Sequence, residues 1–232
     1  MHLVDHVFVM LLFVVQPIHG AYTYRRYLAR IEAGASSNRI RLYKQTLVLE
    51  WLALAVLATA WYLLGRPASD LGFVAPQGKN FLIGVGILIV VTGILIYEWR
   101  SALAASDDER KQQQDAFGTL LHFLPQTARD YRYFVGVSVT AGIVEEILYR
   151  GFAIWYLALF MPVWAAIVGS AVMFGLGHSY QGAAGVVRTS AIGLVLGAFY
   201  WFTGSIWLAM LAHAILDIIQ GATILAILRR GS

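Results

Sequence analysis

Six side chains in the C-terminal half of the chain are of types that do chemistry: Glu145, Glu146, Arg150, His178, His213 and Asp217. A carboxylate can take a proton from water, and an imidazole can accept, donate or hold one near neutral pH. A carboxylate beside an imidazole fixes its tautomer and orientation. A base, two imidazoles and an orienting carboxylate make a hydrolytic set. Such a set could hold Zn²⁺ through Glu145, His178 and His213, with Glu145 near the metal-bound water, or it could activate water without metal. His-Glu-x-x-His is absent, which removes the helical zinc-protease motif, and Gly-x-Ser-x-Gly is absent too. The chain has no cysteine, so thiol nucleophiles, thiolate metal sites and disulfides are excluded.

Spacing divides the set. Glu146 and Arg150 stand one helical turn apart and can pair. Glu145 is about 100° further round the helix, with no natural partner on its own helix. This assigns Glu145 to chemistry and Glu146 with Arg150 to architecture. His213 and Asp217 also lie one turn apart on a shared face. His178 follows Phe174-Gly-Leu-Gly, whose glycines permit close approach of a helix or a substrate. Three plainer readings compete. The Glu145, Glu146 and Arg150 charges would form one buried network, His213 and Asp217 a local hydrogen bond, and His178 an interfacial residue at a span end.

The elements that must position these groups follow from composition. The 232 residues are 59% hydrophobic and 13% charged, against roughly 25% charged in a soluble domain. That excludes a soluble globular or disordered chain and argues against a nucleic-acid binder. What remains is an all-α, polytopic membrane helix bundle. Crossing the bilayer takes about 20 mostly apolar residues. Seven stretches qualify or nearly do: Val4–Gly20, interrupted by Pro17, then Thr46–Leu64, Asn80–Tyr97, Tyr133–Phe160, Pro162–Gly177, Ala183–Phe202 and Ile206–Leu228. The fourth and fifth are so close that a kink or re-entrant path is open to them. The first lacks a basic leader and an Ala-x-Ala site and reads as a retained span. Two regions result: residues 1–130, with three spans and their loops, and residues 131–232, a four-span catalytic core.

Positive charge orients the spans. Arg25, Arg26, Arg30, Arg39, Arg41 and Lys44 follow the first span, and Arg100, Arg110, Lys111, Arg129 and Arg132 follow the third. Arg188, Arg229 and Arg230 join them on one side, leaving Arg66 and Lys79 on the other. This bias places the N-terminus outside and the C-terminus in the cytoplasm of an inner or plasma membrane. The tryptophans read as interfacial belts, and Gly193-x-x-x-Gly197 as a helix-packing motif. Ser106–Gln126 reads as a solvated loop, its Phe117–Leu124 part lying in the interface. Each ionisable group inside a span costs roughly 2.5–3.5 kcal/mol. Glu50, singled out in the first three spans, reads as lying near a span edge, solvated by snorkelling or loop contact. On straight helices Glu145 falls near mid-membrane, His213 toward the outer side and His178 nearer the cytoplasm. The three meet only if helices tilt, start deeper or surround a water-filled cavity.

Ala141-Gly-Ile-Val-Glu-Glu-Ile-Leu-Tyr-Arg-Gly-Phe152 resembles the E-E-x-x-x-R motif of the CPBP intramembrane proteases, which include type II CAAX prenyl proteases and bacteriocin-processing or immunity proteins. Phe174-Gly-Leu-Gly-His178 resembles their F-x-x-x-H motif, and His213-Ala-Ile-Leu-Asp217 their H-x-x-x-N motif. Each motif is short. The ordered triple, each on an apolar span, is specific, and it covers about a third of the chain. The resemblance implies an all-helical membrane endopeptidase. Glu145 would activate water, Glu146 and Arg150 would support it, and His178 and His213 would be catalytic or metal-binding. Asp217 stands where Asn is frequent. An Asn amide can donate to an oxyanion and an ionised Asp cannot, so Asp217 is read as orienting His213 or binding a cation. The metal-assisted route, with zinc, is preferred over a glutamate-only one.

The leading expectation is therefore intramembrane endoproteolysis of a peptide or membrane-protein substrate at Glu145. A non-hydrolytic immunity or scaffold protein with the same fold is the alternative. A proton-coupled transporter ranks lower, because the chain shows no internal repeat. Expected partners are the substrate and the bilayer, with no nucleic acid. Nothing in the residues marks a prenyl pocket or an oligomeric state.

Overall fold

The structure is a computed structural model that describes residues 1–34 and 38–228. Arg229 and Arg230, counted above among the orienting charges, lie outside the described residues. Helix α1 is Leu3–Glu32, with a π-helical turn at Leu11–Val15. Then come α2, Arg39–Leu63, α3, Gly78–Ala104, and a short polar helix α4, Asp107–Phe117. Helix α5 covers 128–158: α-helical over Ala128–Glu145, π-helical over Glu146–Ala153, and α-helical again over Ile154–Ala158. Helices α6, Val163–Gly177, α7, Gly182–Thr203, and α8, Ile206–Leu228, complete the chain. There is no strand among the described residues. Helices α1, α2, α3, α7 and α8 are long and apolar enough to cross a membrane. The chain is an all-α polytopic bundle, and its outward faces carry exposed Leu82, Ile89, Val90, Val187 and Val195. Such surfaces face hydrocarbon rather than water.

Helix α8 packs against α3, α5 and α7, α2 lies along α5, and α6 forms a hairpin with α7. One apolar core joins the two regions separated above at residue 130. Phe8 and Leu12 of α1 and Leu57 and Trp61 of α2 pack with Val144, Phe152, Phe174 and Met210. Two close approaches set the helix spacing. A Cβ on Gly142 would lie 2.8 Å from the Met210 carbonyl and 2.9 Å from Ala214 Cβ, so α5 meets α8 backbone to backbone. A Cβ on Gly193 would lie 2.9 Å from the Phe174 ring, so the Gly193–Gly197 motif packs α7 on α6.

Two expectations are corrected. Ser106–Gln126 is not a loop but α4 followed by a 3₁₀ turn, Gly118–His122. The Ser106 hydroxyl accepts from the Glu109 amide, and Glu109 accepts from the Ser106 amide at 2.8 Å, a reciprocal cap. The Ser106 amide and then its hydroxyl hold the Glu109 carboxyl below its ordinary range. The second correction concerns α2. It starts at Arg39 rather than Thr46, so Glu50 and Trp51 sit at its middle, not near an end. Asp5, passed over in the first span, is buried and takes two 2.7 Å bonds from Arg66. That guanidinium also lies over the Trp61 and Trp155 rings.

Candidate active site

The centre of the site is the π-helical part of α5. A π segment bonds i to i+5, leaves carbonyls to be satisfied from outside, and recurs at functional sites. Here the Ser170 hydroxyl of α6 donates to the Tyr149 carbonyl at 2.7 Å. The Arg150 guanidinium forms an ion pair with Glu146 at 2.8 Å and donates to the Gly193 carbonyl of α7 at 3.2 Å. Arg150 and Glu146 are 1% and 0% exposed, a sealed pair of the kind the one-turn spacing suggests. A buried charge keeps its place only when paired and hydrogen-bonded.

Glu146 does more than pair. Its Oε1 is 2.8 Å from His213 Nδ1, on the facing helix α8. With Glu146 ionised against Arg150, Nδ1–H donates to it, which fixes the ring. His213 Nε2 then faces Glu145 Oε2 at 3.8 Å and Asp217 Oδ2 at 3.7 Å. Both distances exceed a direct hydrogen bond. The carboxylate that orients His213 is thus Glu146, across the helix interface, while Asp217, its neighbour one turn on, stands off. Glu145 and Asp217 remain 13% and 32% exposed, so the two carboxylates around Nε2 are the accessible ones.

His178 comes from the end of α6. That helix has 15 residues, about 22 Å at 1.5 Å per residue, against a hydrocarbon core of roughly 30 Å. It stops short of the full span and turns through Ser179–Gln181 into α7. The helix ends where the apolar stretch ends, and its last residues bring the His178 ring against Phe174, which also touches His213. His178 Nδ1 lies 2.9 Å from the Phe174 carbonyl, which can only accept, so Nδ1 carries a proton and Nε2 is the nitrogen turned to other partners. The Asp217 carboxylate is within electrostatic reach of His178, His213 and Glu145. All six residues therefore belong to one neighbourhood.

Phe174 ties it together. Its ring lies 4.4 Å from the Arg150 guanidinium and edge-on to His213 at 5.9 Å. It also contacts Tyr149 at 5.2 Å and His178 at 4.8 Å between centroids. Aromatic faces attract cations and ring edges, so one buried ring orients four polar groups. From α1, Gln16 accepts from the Tyr149 hydroxyl at 2.7 Å, and the Pro17 carbonyl accepts from Ser179 at 2.9 Å.

Glu50 enters from α2. Its Oε2 is buried without a hydrogen-bond partner, and its electrostatic neighbours are Glu145 and Asp217. The reading of Glu50 as a solvated edge residue is overturned by this placement. A lone acid within the otherwise apolar run Leu47–Leu64 is the signal for it.

Zinc finds no preassembled ligand set. Among the described residues, no three His, Cys, Asp or Glu side chains are grouped so as to hold a metal ion. The Nδ1 side of His213 is engaged by Glu146 and that of His178 by a carbonyl, so Nε2 is the nitrogen each ring offers to a ligand.

No curated protein and no solved structure matches the chain. Residues 128–219, which carry every side chain of this site except those of α1 and α2, match the family model described as Rce1-like, type II CAAX prenyl endopeptidase, consistent with the CPBP family and supporting, at the family level, an intramembrane CAAX-type protease.

Proposed function

We propose that the protein is an intramembrane endopeptidase in which Glu145 activates the attacking water. The observation that carries this reading is the geometry around His213. One ring nitrogen is locked by a sealed Glu146–Arg150 pair, and the other faces two accessible carboxylates. Glu145, helped by His178 Nε2, takes a proton from water as its oxygen bonds to the scissile carbonyl carbon. The carbonyl π electrons move to oxygen. His213, as imidazolium, donates from Nε2 to that oxyanion, in the place where an amide side chain would serve. Asp217 steadies the imidazolium charge. Collapse of the tetrahedral intermediate breaks the C–N bond, and the amine leaves with a proton from the site. The substrate is a peptide segment that reaches this depth of the bundle, with a membrane-embedded or lipid-modified chain as its class.

The test is a comparison of membrane peptides from cells carrying wild type or Glu145→Gln. A peptide that accumulates uncleaved in the variant, and is cut by purified wild type in liposomes, is expected. Undiminished cleavage by purified Glu145→Gln protein would falsify the assignment. A cellular phenotype that survives complete loss of cleavage would favour the non-hydrolytic scaffold instead.

A further inference from the structure

The reaction needs two proton transfers, one from water and one to the departing amine. Glu145 accounts for the first. Among the groups around it, Arg150 and the His213 Nδ1–H are committed to Glu146, and the His178 Nδ1–H to the Phe174 carbonyl. Asp217 stands beside His213 Nε2. Glu50 has no such commitment. It lies on α2, which is tied to α5 by the adjacent Trp51, whose indole N–H donates to Thr140 Oγ1 at 3.3 Å. Thr140 is five residues before Glu145 on the same helix. This bond holds Glu50 against the stretch of α5 that leads into the site. The groups facing Glu50 from the packed elements are Glu145 and the Tyr149 hydroxyl of α5 and Asp217 of α8.

A buried carboxyl oxygen that meets neither cation nor N–H is satisfied by carrying a proton itself. It then becomes a donor, and the two facing carboxylates are acceptors. Two acids in different surroundings, one a base and one an acid, is a recurrent way of dividing hydrolytic work.

We infer that Glu50 is the general acid of the site, giving its proton to the leaving amine while Glu145 serves as base. This rests on the hydrolytic reading above. As the C–N bond breaks, its electron pair stays on nitrogen and the Glu50 proton bonds there. Glu50 is left as a carboxylate and regains a proton from Glu145, which had taken one from water. Protons balance over one turnover, and no co-reactant is needed.

The experiment uses the full-length protein in liposomes and two quenched-fluorescence peptides. Both span the cleavage site found by the proteomic comparison, one with an amide and one with an ester at the scissile bond. An alkoxide leaves with little help from a proton, whereas an amine needs one. General-acid catalysis contributes roughly 10²–10⁴-fold, so Glu50→Gln is expected to lower the amide-to-ester ratio of kcat at least tenfold. Glu50→Asp, which keeps an acid, restores much of that ratio. Trp51→Phe, which only loosens α2, lowers both rates and leaves the ratio alone. Because the ratio is taken on one preparation, poor insertion does not obscure it. An unchanged ratio in Glu50→Gln overturns the inference and leaves the parent reading standing. Equal rates in Glu145→Gln and wild type on both peptides overturn the parent reading, and this one with it.

Discussion

Glu145 and Glu146 are adjacent, identical in type and opposite in duty. Glu146 is wholly enclosed and bound to Arg150 and His213, while Glu145 is partly open and faces the second nitrogen of the same imidazole. Removing one partner of a buried ion pair costs about 3–5 kcal/mol. Glu146→Gln is therefore expected to lower the thermal unfolding midpoint in detergent and to abolish cleavage. Glu145→Gln should unfold within a few degrees of wild type, yet lose at least about 10²-fold in kcat. A Glu145→Gln protein as unstable as Glu146→Gln would remove the division of roles. Phe174→Leu tests the shared ring. Losing a buried cation–π contact of about 2 kcal/mol and edge contacts of about 1 kcal/mol should lower both stability and kcat. The types and spacings of these side chains were legible in the sequence, because one-turn pairs lie on one face whatever the surroundings. The orienting role of Glu146 was not, since it depends on how α5 and α8 meet.

That meeting is an element-scale property, and it turns on Gly142. With no side chain there, the α5 backbone lies against Met210 and Ala214, three residues before and one after His213. Gly142→Val would force the helices apart at a cost of about 1–3 kcal/mol. It should break the Glu146–His213 hydrogen bond and reduce kcat more than KM, measured on the amide peptide. Gly136→Val, on the same helix with open space around its Cα, is the control and should leave both constants near wild type. Helix α4 offers a separate test. The Glu109 carboxyl is held low by Ser106, so its cap is present above the ordinary carboxylate range and is lost as pH falls through the lowered value. Ser106→Ala should increase amide hydrogen exchange in α4 at neutral pH and weaken that acid dependence, whereas Glu109→Gln should remove it. The α4 cap was readable as Ser106-x-x-Glu109 but was masked by the polar run beside it. The π segment had no sequence signal, because its residues keep the apolar pattern of the helix around it. The short α6 was visible as a short apolar stretch, whereas the meeting of His178 with Phe174 and the Asp217 field depends on how α6 and α8 pack.

On the scale of the molecule, consecutive spanning helices place the Arg-rich end of α1, the Arg-rich start of α2 and the 105–127 segment at one end and the 64–77 connection at the other. By its charge bias the Arg-rich end is expected in the cytoplasm. The absence of cysteine makes this simple to check. Gln113→Cys should react with an impermeant maleimide only after cells are opened, and Ser69→Cys should react from outside. The reverse pattern would invert the topology. The sealed pair on α5 also bears on how the chain enters the bilayer. Glu146 and Arg150 are partners within one helix, so α5 can neutralise both charges during insertion, before any other helix is beside it. Glu50 enters on α2, synthesised long before α5, with no partner on its own helix, and α2 must bear a charge penalty of about 2.5–3.5 kcal/mol, less if it enters protonated. Its run of leucine, alanine and valine meets that demand. The membrane thus receives the acid of the site first, alone, and the ion pair later, already matched, which sets the order in which the site can assemble.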